Sequence, residues 1–125
     1  MDYYKTSGII LDACITVHRI MGPGLFESIY EQCLVKEFEL RNVMAKSQVP
    51  IPLIYKNHEL SRELKVDILV EDEIILELKS SEIIRPVYEA QLISYLKLTH
   101  KKLGFLVNFN VPVLKDGSKR YVNHF

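Results

Sequence analysis

The chain has 125 residues, 48% of them hydrophobic, and a formal net charge of zero. That size and apolar content suit one compact core, so residues 1–125 are expected to form a single domain, and the missing surplus of basic charge argues against a protein that coats nucleic acid by charge alone. No apolar run approaches the roughly 20 residues that a bilayer crossing needs, and residues 1–22 lack a basic start, a continuous apolar stretch and a cleavage site, so a cytoplasmic, soluble protein is expected.

From Ser7 to Met21, the apolar residues Ile10, Ala13, Cys14, Val17 and Met21 recur at three and four, the spacing that gathers one face of an α-helix. "GPG" at 22–24 ends it. Leu25, Ile29, Cys33, Leu34 and Phe38 then predict a second helix to about Arg41, with Glu27 and Glu31 in its early turns, where the helix dipole favours anions. "QVPIPLIY", 48–55, alternates but holds two prolines, which cannot donate to a ladder, and this predicts an edge strand. "KNHE" offers a turn. Residues 62–70 and 74–80 are β-rich runs separated by Glu71, Asp72 and Glu73, the pattern of a hairpin. Pro86 suits a helix's first turn, and the pattern continues to about Thr99. Leu103 to Phe109 reads as a buried strand, "KDGS" at 115–118 as a turn, and Lys119 to Asn123 as a short last strand. The order α, α, β, β, β, α, β, β predicts an α/β (α+β layered) domain in which helices pack on a hairpin-rich sheet.

Cys14 and Cys33 lie inside helical patterns with no CxxC and no histidine pair nearby, which points to reduced core thiols. Charge is unevenly spread: residues 97–125 hold six basic side chains against Asp116, a surplus of five, so residues 1–96 carry net minus five. A solubilising surface and a contact for phosphates are both consistent with that basic end.

The hairpin carries the chemistry. If Glu71–Glu73 form a three-residue loop, Val70 faces Ile74 and paired residue numbers sum to 144, placing Asp67 opposite Glu77. Strand alternation then puts Lys79 on the same face as Glu77. With a two-residue loop Asp67 would face Leu78 and point away from Glu77. Two opposed carboxylates repel unless one is protonated or a cation lies between them. Magnesium, which takes a few carboxylate oxygens and often binds beside substrate phosphate, would suit that pair. An ion on Asp67 and Glu77 with Lys79 beside it outlines a phosphodiester-cleaving site. A solvated hairpin face with Glu77 paired to Lys79 is the plainer reading of the same spacing.

Two more constellations bear on the choice. "GLFESIY" puts Glu27 and Tyr30 three apart after the glycine break, and "QLISY" puts Gln91 and Tyr95 four apart. Separately, Glu27 reads as a dipole-compensating acid, and Tyr30 and Tyr95 as core aromatics with wet hydroxyls. Gln91, taken as facing inward, needs a hydrogen-bond partner. His18 near the break reads either as a phosphate contact or as a helix-end imidazole satisfied by a carbonyl.

At these residues the chain resembles the GxxExxY proteins of the PD-(D/E)xK nuclease-like superfamily, through Gly24, Glu27 and Tyr30, "VDILVEDEIILELKS", "EAQLISYLKLT" and "GFLVNF" in that order. The resemblance implies a restriction-endonuclease-like αβββαβ core, a central mixed sheet flanked by helices. It implies Asp67 as the motif acid, with Val66 in place of the usual preceding proline, and Glu77 with Lys79 as its ExK. Metal ligands would be Asp67, Glu77, the Leu78 carbonyl and Glu27, holding magnesium or manganese. The catalytic set would be Lys79, Glu77 and Asp67, supported by Gln91 and Tyr95. The expected activity is hydrolysis of nucleic acid, DNA foremost; the alternative is a silent nuclease-fold module that binds nucleic acid or a protein. The edge strand 48–55 offers a route to a homodimer.

Overall fold

The computed structural model describes residues 1–123 and comprises nine elements: α1 (Tyr3–Met21), α2 (Glu27–Leu40), β1 (Ala45–Tyr55), β2 (His58–Val70), β3 (Ile74–Lys79), α3 (Pro86–Thr99), β4 (Leu103–Asn108), α4 (Leu114–Gly117) and β5 (Ser118–Val122). The sheet runs β1-β2-β3-β4-β5, with β3 and β4 parallel and the other pairs antiparallel. The parallel pair needs a crossover, and α3 supplies it. The result is a mixed five-stranded sheet with helices on both faces, consistent with a restriction-endonuclease-like fold.

Several elements differ from expectation: β1 begins at Ala45 rather than 48, and β2 at His58 rather than 62, which shortens the "KNHE" turn to Lys56 and Asn57. Helix α1 begins at Tyr3 rather than Ser7, because Asp2 caps it through a 3.0 Å bond from the Lys5 N–H. "KDGS" lies across the end of a single helical turn, α4, rather than in a plain turn. The hairpin follows the three-residue register, with Val70 opposite Ile74 and Ile68 opposite Leu76. Glu71 and Asp72 both take left-handed backbone, as do Lys56 and Asn57 in the turn between β1 and β2.

Two cores flank the sheet. Ile68, Val70, Ile74, Leu76 and Leu78 pack against α1 and α2, while Leu69 and Ile75 pack with Leu92 and Leu96 of α3. The β1–β2 ribbon switches between them. Ala45 and Ile68 belong to the first core, yet Val49, Ile51 and Val66 join the second. Residues an even number apart on a regular strand share a face, so the ribbon turns over between these positions. Gln48, with φ +52, and Asp67 lie at the turnover, between the pairs Ser47–Ile68 and Val49–Val66.

Among the described residues no helix is long and apolar enough to cross a membrane. Both cysteines are free. Burial pushes the Cys14 thiol up to about 12, where it stays protonated.

Candidate active site

Strands β2 and β3 part just beyond Ile68 and Leu76. One residue further, the Asp67 side chain enters the gap, and its Oδ2 accepts the Leu78 N–H at 2.8 Å. A carboxylate thus replaces a ladder acceptor. It also places Asp67 against Glu77, which is only 7% exposed.

Glu77 is the unusual group. Its Oε1 is buried and, among the described residues, has no hydrogen-bond partner. Burial, reinforced by the hydrogen bond and charge of Asp67, pushes its carboxyl up to about 9, although Lys79 pulls the other way. Near neutral pH and without a cation, Glu77 therefore holds a proton. Lys79 makes no ion pair among the described residues. Its Nζ sits 4.3 Å from the centre of the Tyr88 ring, a cation–π contact that holds the ammonium beside the acids.

Side chains from three elements secure the backbone around Lys79. Asp67 takes the Leu78 N–H, Glu27 Oε2 takes the Ser80 N–H at 3.2 Å, and Asn108 Oδ1 takes the Ser81 N–H at 3.2 Å. The Asn108 amide returns a 2.9 Å bond to the Ser81 carbonyl, and the Phe109 N–H donates to the Lys79 carbonyl at 2.9 Å. Glu27 is held in place by the break before it. Gly22 and Gly24 take positive φ, and the Tyr30 hydroxyl donates to the Gly22 carbonyl while accepting the Leu25 N–H at 3.1 Å. Tyr30 is fully buried and stacks on Phe109 at 4.3 Å, so its hydroxyl is not wet, as the sequence suggested, but ties off the GPG turn.

Helix α3 borders the other side. Gln91 is exposed rather than inward-facing, and its amide donates to the Tyr95 hydroxyl at 2.9 Å. Burial, then the charge of Glu77, raises the Tyr95 phenol, with Gln91 opposing and Asp67 adding to the rise. Tyr95 therefore feels both acids. The His18 imidazole meets a carbonyl: its Nε2 lies 2.8 Å from the Val111 oxygen.

Three residues gain positions that spacing did not reveal. Glu31, one turn beyond Glu27, has its carboxyl raised chiefly by burial and also by the charge of Asp67, while a 2.7 Å bond from Gln48 counters this. Gln48 is the left-handed residue at the ribbon's turnover. Asn108, 5% exposed, is the third. Gln48 and Asn108 show in the sequence only as polar side chains in "SQVP" and "LVNF", and Glu31 only as an early-turn acid of the second helix.

The donor set suits a small hard cation in one respect: a buried carboxyl with an unpartnered oxygen, pressed against a second acid, is relieved by positive charge. Magnesium needs few protein oxygens, because water completes its shell. Among the described residues no group of three or more histidines, cysteines or acids gathers, so Asp67 and Glu77 form a two-acid site, with Glu27 held nearby at Ser80. A cleft of about 600 Å³ opens there, between the first turn of α2 and Ser80.

A comparison with curated proteins finds no match. A model of the PD-(D/E)XK nuclease superfamily matches residues 4–121, spanning every element from α1 to β5. The chain belongs to the PD-(D/E)XK nuclease superfamily.

Proposed function

We propose that the protein is a divalent-metal-dependent nuclease, hydrolysing phosphodiester bonds in nucleic acid, with DNA as the first substrate to test. The observation that carries this reading is Glu77: a buried carboxyl with an unpartnered oxygen, held against Asp67 and next to the ammonium of Lys79. Asp67, Glu77 and the Leu78 carbonyl would hold magnesium or manganese, with Glu27 close by. The ion, when bound, would supply activation of water and neutralisation of phosphate charge.

The chain's own groups do the rest. Lys79, steadied over Tyr88, offers a cation to the negative charge that builds on phosphorus. Asp67 fixes the Leu78 amide and so the backbone from which Glu77 and Lys79 project. The Gln91–Tyr95 pair offers an amide and a phenol to substrate phosphate, in keeping with the Gln91 exposure. The cleft beside Ser80 is lined by Glu27 but not by Asp67, Glu77 or Lys79, so it offers the substrate a place next to the acids rather than on them.

A cleavage assay on single-stranded, duplex and branched DNA tests this, with magnesium or manganese and with chelator. Cleavage that needs the cation and falls about 100-fold or more in Lys79→Ala supports the reading. Identical time courses for wild type and Lys79→Ala contradict it. A nuclease-fold module that binds without cutting is the second reading, favoured by the net charge of zero; it predicts cation binding at Asp67 and Glu77 with no cleavage of any substrate.

A further inference from the structure

Beyond its turnover at Gln48, the β1–β2 ribbon leans onto α3, and a groove of about 730 Å³ runs between the ribbon's outer half and the last turn of that helix. Its floor includes Ile51, Ile54 and Leu98, and Lys56, Lys97 and Lys101 rim it. Among the described residues no carboxylate lines it. In a chain whose charges cancel overall, three lysines around one groove without an acid is a local concentration of positive charge.

The groove adjoins the candidate active site through α3. Leu98 lies one turn beyond Tyr95, and the Thr99 hydroxyl bonds the Tyr95 carbonyl at 2.7 Å, so the helix that presents Gln91 and Tyr95 to the acids presents its next turn to the groove. We propose that this groove binds the sugar–phosphate backbone of a nucleic-acid strand flanking the position to be cleaved. Its lysines pair with phosphates and its apolar floor accepts sugars or unstacked bases. The inference deepens the nuclease reading and rests on it for the word substrate, but the binding it describes needs neither metal nor cleavage.

Complementary charge selects the occupant. A hydrophobic protein surface would leave the ammonium groups of Lys56 and Lys97 facing apolar atoms, whereas a polyanion releases counterions at each contact. Lys101 also donates to the Asp72 carbonyl at 2.7 Å, so it has a part in the fold, whereas Lys56 and Lys97 are exposed.

The test is fluorescence anisotropy with labelled 20-nucleotide single-stranded and duplex DNA in EDTA, across a salt series. Wild type is compared with Lys56→Glu/Lys97→Glu, and with Lys36→Glu/Lys115→Glu as a charge-matched control elsewhere on the surface. The expected result is a Kd at least tenfold weaker for the groove variant, with a log Kd versus log salt slope shallower by about 1.5; the control should move less than threefold. Equal losses in both variants, or an unchanged Kd in the groove variant, overturn the proposal, as does tight binding of poly-glutamate with no binding of either oligonucleotide. Groove-dependent binding in EDTA, together with no cleavage when magnesium or manganese is supplied, would sink the nuclease reading alone. Metal-dependent cleavage unaltered by the groove variant would sink the groove alone.

Discussion

Glu77 ties the stability of the fold to pH. Its carboxyl titrates near 9 in the folded chain against an ordinary value of 4.5, because burial and Asp67 disfavour the charge. The folded state therefore binds a proton that the unfolded state has lost. The stability contributed by the protonated form is complete below about pH 4.5 and is lost as pH rises toward 9. Each pH unit between 4.5 and neutrality costs about 1.4 kcal/mol, so the burden reaches roughly 3 kcal/mol at pH 7. Glu77→Gln keeps the shape and stays neutral. Urea denaturation should find it more stable than wild type by a few kcal/mol at pH 7, with the two converging near pH 4.5; parallel curves across that range would count against the raised carboxyl. The same proton competes with a cation. Apparent magnesium affinity should rise up to about tenfold per pH unit between pH 5 and 9, with about one proton released, as titrations in buffers of different ionisation enthalpy would report.

At the level of elements, the join between α1 and α2 depends on Tyr30. Its buried hydroxyl satisfies the Gly22 carbonyl and the Leu25 N–H. Tyr30→Phe leaves both without that partner and should lower stability by about 1–3 kcal/mol, read as a fall in the urea midpoint; an unchanged midpoint would mean the turn holds without it. Much of the element order is legible locally. The two prolines mark β1 as an edge, Pro86 opens α3, and three acids between apolar runs set the register that pairs Val70 with Ile74. What escapes local reading depends on partners far along the chain. The buried hydroxyl of Tyr30 needs the glycine break folded back upon it. The clasp of Asn108 on Ser81 spans strands β4 and β3 and the loop between them. The turnover at Gln48 requires two strands and both cores, and no spacing rule anticipates left-handed backbone in a strand. Ala90 and Leu92 predict an inner face for Gln91, whereas the residue is exposed and its amide donates to the Tyr95 hydroxyl.

Across the whole molecule, the sheet gives its interior to packing and its diverging strands to chemistry. The hydrophobic cores on either face close over β3 and β4, while the parting of β2 from β3 leaves Asp67 and Glu77 to face each other without a ladder between them. A cation that binds only the folded chain adds stability by mass action, about 1.4 kcal/mol at ten times its Kd. The melting temperature should therefore climb with magnesium in wild type and stay flat in Asp67→Asn, whose side-chain oxygen can still accept the Leu78 N–H. The most direct measurement is calorimetric titration of magnesium into these two proteins at pH 8. Micromolar-to-millimolar binding in wild type, weakened at least tenfold by Asp67→Asn, is the predicted result. No heat in wild type, or equal binding in both, would contradict a divalent cation held between Asp67 and Glu77.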